Sequence, residues 1–146
     1  MDKIVAAVAI AFWVLLLAGG ALIVMSGNRS AQNFLGAILG ATILTAVTDA
    51  FIPFYLAWYA YLAIDGTLLA IVLCYVVKSN VYWPIWFAGF HSIAVASQVS
   101  QLIFSGKVIG PYVDFAGFWS IPALVAMVWG VSLDRIKHKA VFQNNA

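Results

Sequence analysis

The stretch TDAFIPFYLAWYAYLAIDG, residues 48 to 66, decides how the middle of this chain folds. It lies within an apolar run from Asn33 to Val77, whose roughly 45 residues would form a helix of about 68 Å. The hydrocarbon core of a bilayer is only about 30 Å thick, so such a run must break if it lies in a membrane. The stretch offers two places for a break, Thr48–Pro53 and Ile64–Gly66.

The lengths of the resulting pieces favour the first break. A break at Ile64–Gly66 would leave residues 67–77, about 17 Å of helix, which is too short to cross a bilayer. Proline is favoured at the start of a helix and disfavours helix in the residue before it, so Pro53 suits a turn between two helices. The sequence therefore predicts one span over residues 33–48 and another over residues 54–77.

The composition of the whole chain is that of a membrane protein. Of its 146 residues, 65% are hydrophobic and 8% are charged, with a mean hydropathy of +1.03, whereas about a quarter of the residues in a soluble domain are charged. Apolar runs near the length of a membrane helix predict further spans at residues 4–25, 82–104 and 112–133.

We therefore expect an all-α integral membrane protein, a single transmembrane domain with a compact bundle of five helices. A short basic cytoplasmic tail, residues 134–146, follows the last span. The alternative is a bundle of four helices plus a re-entrant or kinked segment in the middle of the chain.

Basic residues predict which side of the membrane the C-terminus occupies. With five spans, Arg29, Lys78 and the basic residues of the tail are cytoplasmic, and Lys3 and Lys107 lie outside. The four-helix alternative gives the same excess of cytoplasmic basic residues, so the rule assigns the C-terminus to the cytoplasm without deciding the number of spans. Small size and short loops favour the inner (plasma) membrane of a bacterium.

Several functions are excluded by what the sequence lacks. The formal charge is +2 and the basic residues form no stripe, which excludes nucleic-acid binding. The sequence contains no glutamate, HExxH, GxSxG or Walker motif, so we do not expect an enzyme. With one cysteine, Cys74, and one intramembrane histidine, the chain offers no pair for a disulfide, metal or haem, and we expect no cofactor.

A polar stripe on span four is the main candidate site. At about 100° per residue, Gln98 lies about 20° from His91, Ser105 about 40° and Gln101 about 80°. Lipid disfavours such a stripe, because a buried polar group without a hydrogen bond is costly. We expect these side chains to face the bundle interior, a water-filled cavity or a partner protein.

Asp65 is the expected partner of this stripe. In the five-span arrangement it lies near the midpoint of span three, where an ionised carboxylate costs at least about 2.5 to 3.5 kcal/mol. Spans three and four are antiparallel, so His91 can meet Asp65 at mid-depth and the pair could act as a proton relay. In the four-span alternative, Asp65–Gly66 is an ordinary interfacial turn and His91 donates to a backbone carbonyl.

Spans two and three carry further polar and aromatic residues for which a structural role is the simpler interpretation. Thr42, Thr45 and Asp49 share one face of span two, where the threonines can bond to their own helix and Asp49 can anchor at the interface. Gly36 and Gly40 form a small-residue spacing that lets helices pack closely. Packing between helices is also expected for three aromatic residues of span three: Trp58, Tyr59 and Tyr61.

Three classes of function remain. The absence of any reaction motif favours a non-catalytic subunit or accessory component of a larger membrane complex. The first alternative is a small oligomeric channel or proton-coupled carrier, lined by the polar face of spans three and four. The second is a holin-like pore former. The expected partners are the lipid bilayer and either a larger membrane complex or further copies of the chain.

Overall fold

The computed structural model describes residues 2–26, 28–79, 81–104 and 118–144, except for the side chains at 2–5, 54–55, 104, 135 and 137–144. Within these residues every element of regular secondary structure is an α-helix. This confirms the predicted all-α class. The helices are, in chain order, α1 (Asp2–Ser26), α2 (Arg29–Phe51), α3 (Phe54–Lys78), α4 (Trp83–Phe104) and α5 (Ser120–Asn144).

The long apolar run breaks at Ile52 and Pro53, as the sequence predicts. Ile52 is extended, with φ −110° and ψ 130°, which is the conformation preferred before a proline. Its backbone N–H donates to the carbonyl of Thr48 at 2.9 Å and closes α2. α3 continues through Asp65 and Gly66, so the turn expected there by the four-helix alternative does not occur.

α2 begins at Arg29, earlier than the predicted residue 33, because Asn28 caps it. The Oδ1 of Asn28 accepts hydrogen bonds from the backbone N–H groups of Ser30 at 3.0 Å and Ala31 at 3.5 Å. These two amides belong to the first turn of a helix, where no backbone carbonyl is available to them. The predicted span leaves out the segment from Arg29 to residue 32 because its hydropathy is low, but the cap at Asn28 makes it helical.

α5 departs most from its predicted range, residues 112–133. The helix begins at Ser120 and runs to Asn144, through most of the segment expected to be a tail. That segment contains good helix formers and neither proline nor glycine, which explains why the helix continues. The first part of the predicted span lies outside the described residues, as do Ser105 and Lys107.

The helices form a ring in which each packs against the one before it and α5 returns to pack against α1. Consecutive helices are antiparallel, and α1 runs in the same direction as α5. The end of the bundle that holds Ile52–Pro53 is called the α2–α3 end below, and the end that holds Ser79–Tyr82 is called the α3–α4 end. Within the ring, α1 packs only lightly on α2.

Aromatic rings fill the interior near the α3–α4 end. The ring centroid of Phe34 lies 5.0 Å from those of Tyr75 and Trp83 and 5.2 Å from that of Phe87. These four residues are called the aromatic cluster. α1, α3 and α5 complete the core around it with fully buried side chains: Leu16, Ile23, Val72, Leu124 and Met127.

Close approach between helices depends on a glycine that the sequence analysis did not single out. A Cβ added at Gly130 of α5 would collide with Cβ and Cγ of Trp83 on α4. A Cβ at Gly36 or Gly40 would meet no atom within 4 Å. Gly36 and Gly40 therefore make no close helix contact within the described part of this chain.

Among the described residues, three helical segments are long and apolar enough to cross a membrane: Ala6–Ser26, Arg29–Phe51 and Leu56–Lys78. α4 is of similar length and carries one histidine, two glutamines and three serines. The described apolar part of α5, Ser120–Asp134, is shorter. Within the described residues, length and hydropathy therefore mark segments of the first three helices as candidate spans.

Candidate functional site

A cavity of about 480 Å³ lies between the middle of the bundle and the α2–α3 end. All five helices contribute to its wall, which is mostly apolar. Its polar side chains include Asp49, Tyr61, Asp65, His91 and Gln98. Three of the four intramembrane site residues predicted from the sequence, Asp65, His91 and Gln98, therefore meet at one place.

Asp65 lies near the middle of α3 and contacts α4 through both its side chain and its backbone. The Nε2 of Gln98 donates to Oδ2 of Asp65 at 2.5 Å, and the Nε2 of His91 lies 3.1 Å from the backbone carbonyl oxygen of Asp65. In a helix the Cα–Cβ bond leans toward the N-terminus while the carbonyl points the other way. On the antiparallel α4, Gln98 lies nearer the α2–α3 end than His91. Gln98 therefore meets the carboxylate of Asp65, and His91 meets its backbone carbonyl.

Asp65 and His91 therefore lie in contact, as expected, but His91 contacts the backbone carbonyl of Asp65 and not its carboxylate. A carbonyl can only accept, so Nε2 of His91 must carry the hydrogen. Within the described residues, no basic side chain forms an ion pair with Asp65. The contact to the carbonyl is the one that the four-helix alternative expected of His91, although Asp65 lies mid-helix as the five-helix arrangement required. A proton relay between the two side chains stays a prediction.

Two buried polar atoms in the cavity wall have no hydrogen-bond partner among the described residues. They are Oε1 of Gln98 and Nε1 of Trp58. Gln98 is 5% exposed and Trp58 is 3% exposed, so bulk solvent does not reach them freely. An unpaired buried donor or acceptor costs on the order of 1 to 3 kcal/mol. Neither atom itself reaches the surface of the cavity, so a molecule in the cavity meets this acceptor and this donor only when the side chains rotate.

A second polar pair lies at the mouth of the cavity. The hydroxyl of Tyr61 donates to Oδ1 of Asp49 and joins α3 to α2 near the α2–α3 end. Thr42 and Thr45 lie on the same face of α2 and donate to backbone carbonyls four residues earlier, at 2.9 and 3.0 Å. The predicted bonding of the threonines to their own helix is confirmed, while Asp49 has an additional partner on α3.

The cavity opens between α1 and α2, the two neighbouring helices that pack most lightly. Trp13 of α1, which is 50% exposed, and Ala46 of α2, which is exposed, both belong to its wall. The exposed large side chains of α2 within one turn of Ala46 and nearest to it around the helix are apolar: Ile43 and Val47. The rim is therefore apolar along the gap and carries the exposed carboxylate of Asp49 at its end.

Two aromatic residues of the wall were assigned to packing by the sequence analysis. Trp58 and Tyr61 lie on the cavity side of α3, together with Asp65 and Leu68. Their spacing by three or four residues places them on one helix face, which is the signal that could have linked them to Asp65. Gln101, the remaining predicted site residue, is buried on α4 but does not belong to the cavity wall.

The described residues contain no group of three or more His, Cys, Asp or Glu side chains arranged to hold a metal ion. Cys74 is exposed and lies away from the cavity. No protein family, curated protein or solved structure matches this chain. The function must therefore be argued from the cavity and the surfaces around it.

Proposed function

We propose that this protein is a small integral membrane carrier that binds a small molecule in the cavity between its helices. The cavity is the observation that carries the proposal. Its volume, about 480 Å³, falls within the range of about 300 to 1,000 Å³ typical of small-molecule sites. Such sites combine apolar walls with a few placed polar groups, and this wall has that composition.

In this proposal all five helices cross the bilayer. Three helical segments satisfy length and hydropathy alone, and His91, Gln98 and Gln101 of α4 are buried inside the protein. Every helix also exposes large apolar side chains that water would disfavour and lipid accommodates. One example from each helix is Leu17, Phe51, Val77, Ile103 and Trp129.

The basic residues support an orientation with the α3–α4 end in the cytoplasm. Arg29 and Lys78 lie at that end, and the basic C-terminal part of α5 extends from it. Short cytoplasmic segments carry an excess of lysine and arginine. The cavity then opens toward the opposite side of the membrane, which we propose to be the inner membrane of a bacterium.

The cavity is blind in the described structure, which favours a carrier over a channel. Phe87 closes its inner end, and the rest of the aromatic cluster fills the interior beyond it. A channel requires a continuous path, whereas a carrier holds its substrate at a site that is closed on one side. Asp65 and its partners lie at the inner part of the cavity, where a substrate would rest.

Cysteine labelling in membrane vesicles tests this proposal, in a Cys74→Ala background. Ala94 and Ala88 both lie on α4 and are both 5% exposed, but only Ala94 lines the cavity. From the outside, an impermeant thiol reagent should modify the Ala94→Cys variant about tenfold faster than the Ala88→Cys variant. From the cytoplasmic side, in inverted vesicles, the Ala94→Cys variant of a carrier should also react.

The results separate the parts of the proposal. If the two variants react equally slowly from the outside, the cavity is not accessible and the proposal is wrong. If the Ala94→Cys variant reacts from the outside but not from the cytoplasm, the protein binds without transport, and the carrier function is contradicted while binding stands.

A second candidate function is that of an accessory component in a larger membrane complex. A groove of about 830 Å³ on the outside of α4 and α5 favours it. Tyr82, Trp86 and Trp129 line this groove and are exposed, and aromatic side chains of this kind often anchor protein contacts. Native mass spectrometry of the protein extracted with its lipids should show a stable heteromer if this function is correct. A monomer or homo-oligomer would contradict it.

A further inference from the structure

The ionisable groups of the cavity wall are of predominantly one sign. Asp49 and Asp65 both line the cavity, and the described lining residues include no lysine or arginine. Tyr61 donates to Asp49. His91 directs Nε2 to a carbonyl, as a neutral imidazole can, so it need not offset either carboxylate. A carboxylate away from water requires a counter-charge or a proton, and no described side chain supplies the charge to Asp65.

Hydrogen bonding at the inner part of the cavity is equally one-sided. Gln98 uses its amide N–H to donate to Asp65, which leaves its Oε1 as a buried acceptor without a partner among the described residues. The carboxylate of Asp65 and the Oε1 of Gln98 are therefore two hydrogen-bond acceptors on neighbouring side chains. The bond from Nε2 of Gln98 to Asp65 joins these side chains. A protonated amine matches them, because it carries positive charge and several N–H donors and accepts nothing. An anion would meet two acceptors of like sign.

The rest of the wall is suited to an apolar body. Phe12, Trp13, Trp58 and Phe87 line the cavity, and aromatic faces attract organic cations. The N–H of Trp58 is a buried donor without a partner among the described residues, and a rotation of the indole ring brings it to an oxygen elsewhere on the same molecule. The apolar rim between α1 and α2 gives such a molecule a path from the bilayer.

We infer that the occupant of the cavity is an amphipathic organic amine, bound in its protonated form with the ammonium group between Asp65 and Gln98. This inference rests on the proposed binding function and adds the chemical class of the ligand. The apolar part of the ligand packs against the aromatic rings, and an ether or hydroxyl oxygen accepts from Trp58.

Three matched compounds test the inference: phenoxypropylamine, phenoxypropanol and phenoxypropionate. They share an aromatic ring and an ether oxygen and differ in whether they end in a cation, a neutral group or an anion. Each is added to the Ala94→Cys variant in lipid nanodiscs, and protection of the thiol from labelling is measured. Empty nanodiscs correct the free concentration for partition into lipid. The amine should protect at a concentration at least about tenfold lower than the alcohol, and the carboxylate should not protect.

Charge-removing variants identify the groups responsible. Asp65→Asn keeps an oxygen that can accept from Gln98, so the fold is preserved while the charge is lost. It should weaken protection by the amine about tenfold. Asp49→Asn, at the exposed mouth, should weaken it by a smaller factor. Asp134→Asn is the matched control, since Asp134 lies on α5 outside the cavity, and it should leave protection unchanged.

The inference is overturned if the alcohol or the carboxylate protects as well as the amine, if no compound protects, or if Asp65→Asn leaves protection by the amine unchanged. In each of these cases rapid labelling of the Ala94→Cys variant without ligand would still show an accessible cavity. Slow labelling without ligand would instead contradict the proposed function, so the two failures are distinguishable.

Discussion

The interior near the α3–α4 end is filled by rings, whereas the interior near the α2–α3 end is hollow. In the closed half, Phe34 from α2 meets Trp83 and Phe87 from α4 at about the spacing of a packed aromatic core. In the open half, several of the residues that the same helices place around the cavity are small, among them Ala41, Thr45 and Ala94. The same helices therefore produce a core where large side chains face one another and a cavity where small ones do.

The closed half should contribute most of the stability. Phe34→Ala removes the ring at the centre of the aromatic cluster, and we expect it to lower the unfolding free energy by about 3 kcal/mol. Phe12→Ala, in the wall of the cavity, removes the same atoms next to space that is already empty and should cost less than half as much. Titration with SDS in mixed micelles measures both. Equal losses would show that the two halves are equally well packed.

In the closed half, α4 and α5 approach so closely at Gly130 that adding a single methyl group there should destabilise the protein. We expect Gly130→Ala to destabilise the protein by about 2 kcal/mol, because its Cβ would collide with Trp83. Gly36→Ala is the control, since nothing lies within 4 Å of an added Cβ there. That variant should be neutral or slightly more stable. If Gly36→Ala proves as harmful as Gly130→Ala, the face of α2 packs against another molecule.

Coupling within the open half should follow the hydrogen bonds. In a double-mutant cycle, Asp65→Ala and Gln98→Ala should be non-additive by about 1 kcal/mol, because each removes the other's partner. The cycle of Asp65→Ala with His91→Ala should be additive within about 0.5 kcal/mol, because His91 contacts the backbone carbonyl that the substitution retains. A larger coupling to His91 than to Gln98 would restore the carboxylate–imidazole pair expected from the sequence.

The smallest effect on stability should come from filling the cavity. Ala94→Leu adds side-chain volume where space is available, so we expect the unfolding free energy to change by less than about 1 kcal/mol. Ala88→Leu adds the same atoms to the packed core and should cost about 1 to 3 kcal/mol. The first variant should nevertheless lose binding of radiolabelled phenoxypropylamine in nanodiscs, measured against empty nanodiscs. A stable Ala94→Leu variant that still binds the amine would place the ligand elsewhere.

Local features of the fold could be predicted from the sequence. Pro53 marked the break between α2 and α3, because proline acts on its neighbouring residues alone. The placement of His91 and Gln98 on one face of α4 followed from helical spacing. The role of Asn28 was missed because hydropathy does not register a helix cap.

The cavity itself could not be predicted, because it depends on which helices surround it. Its wall combines residues far apart in the sequence, such as Trp13 and Leu124, and no periodicity relates them. Which residue of α4 bonds to the carboxylate of Asp65 depends on the direction in which the Asp65 side chain points along α3. The spacing of polar residues on α4 does not specify that direction. Gly130 was missed for the same reason, since only the position of Trp83 makes it necessary.

The ring of helices also has a consequence for the order in which the protein can assemble. α1 packs extensively on α5 and lightly on α2, so its main partner is a helix that is synthesised only after the three helices between them. α2, α3 and α4 can associate in sequence as they emerge, because each packs on its predecessor. α1 must therefore wait until α5 arrives, and the cavity, whose wall includes residues of both helices, is complete only at that step.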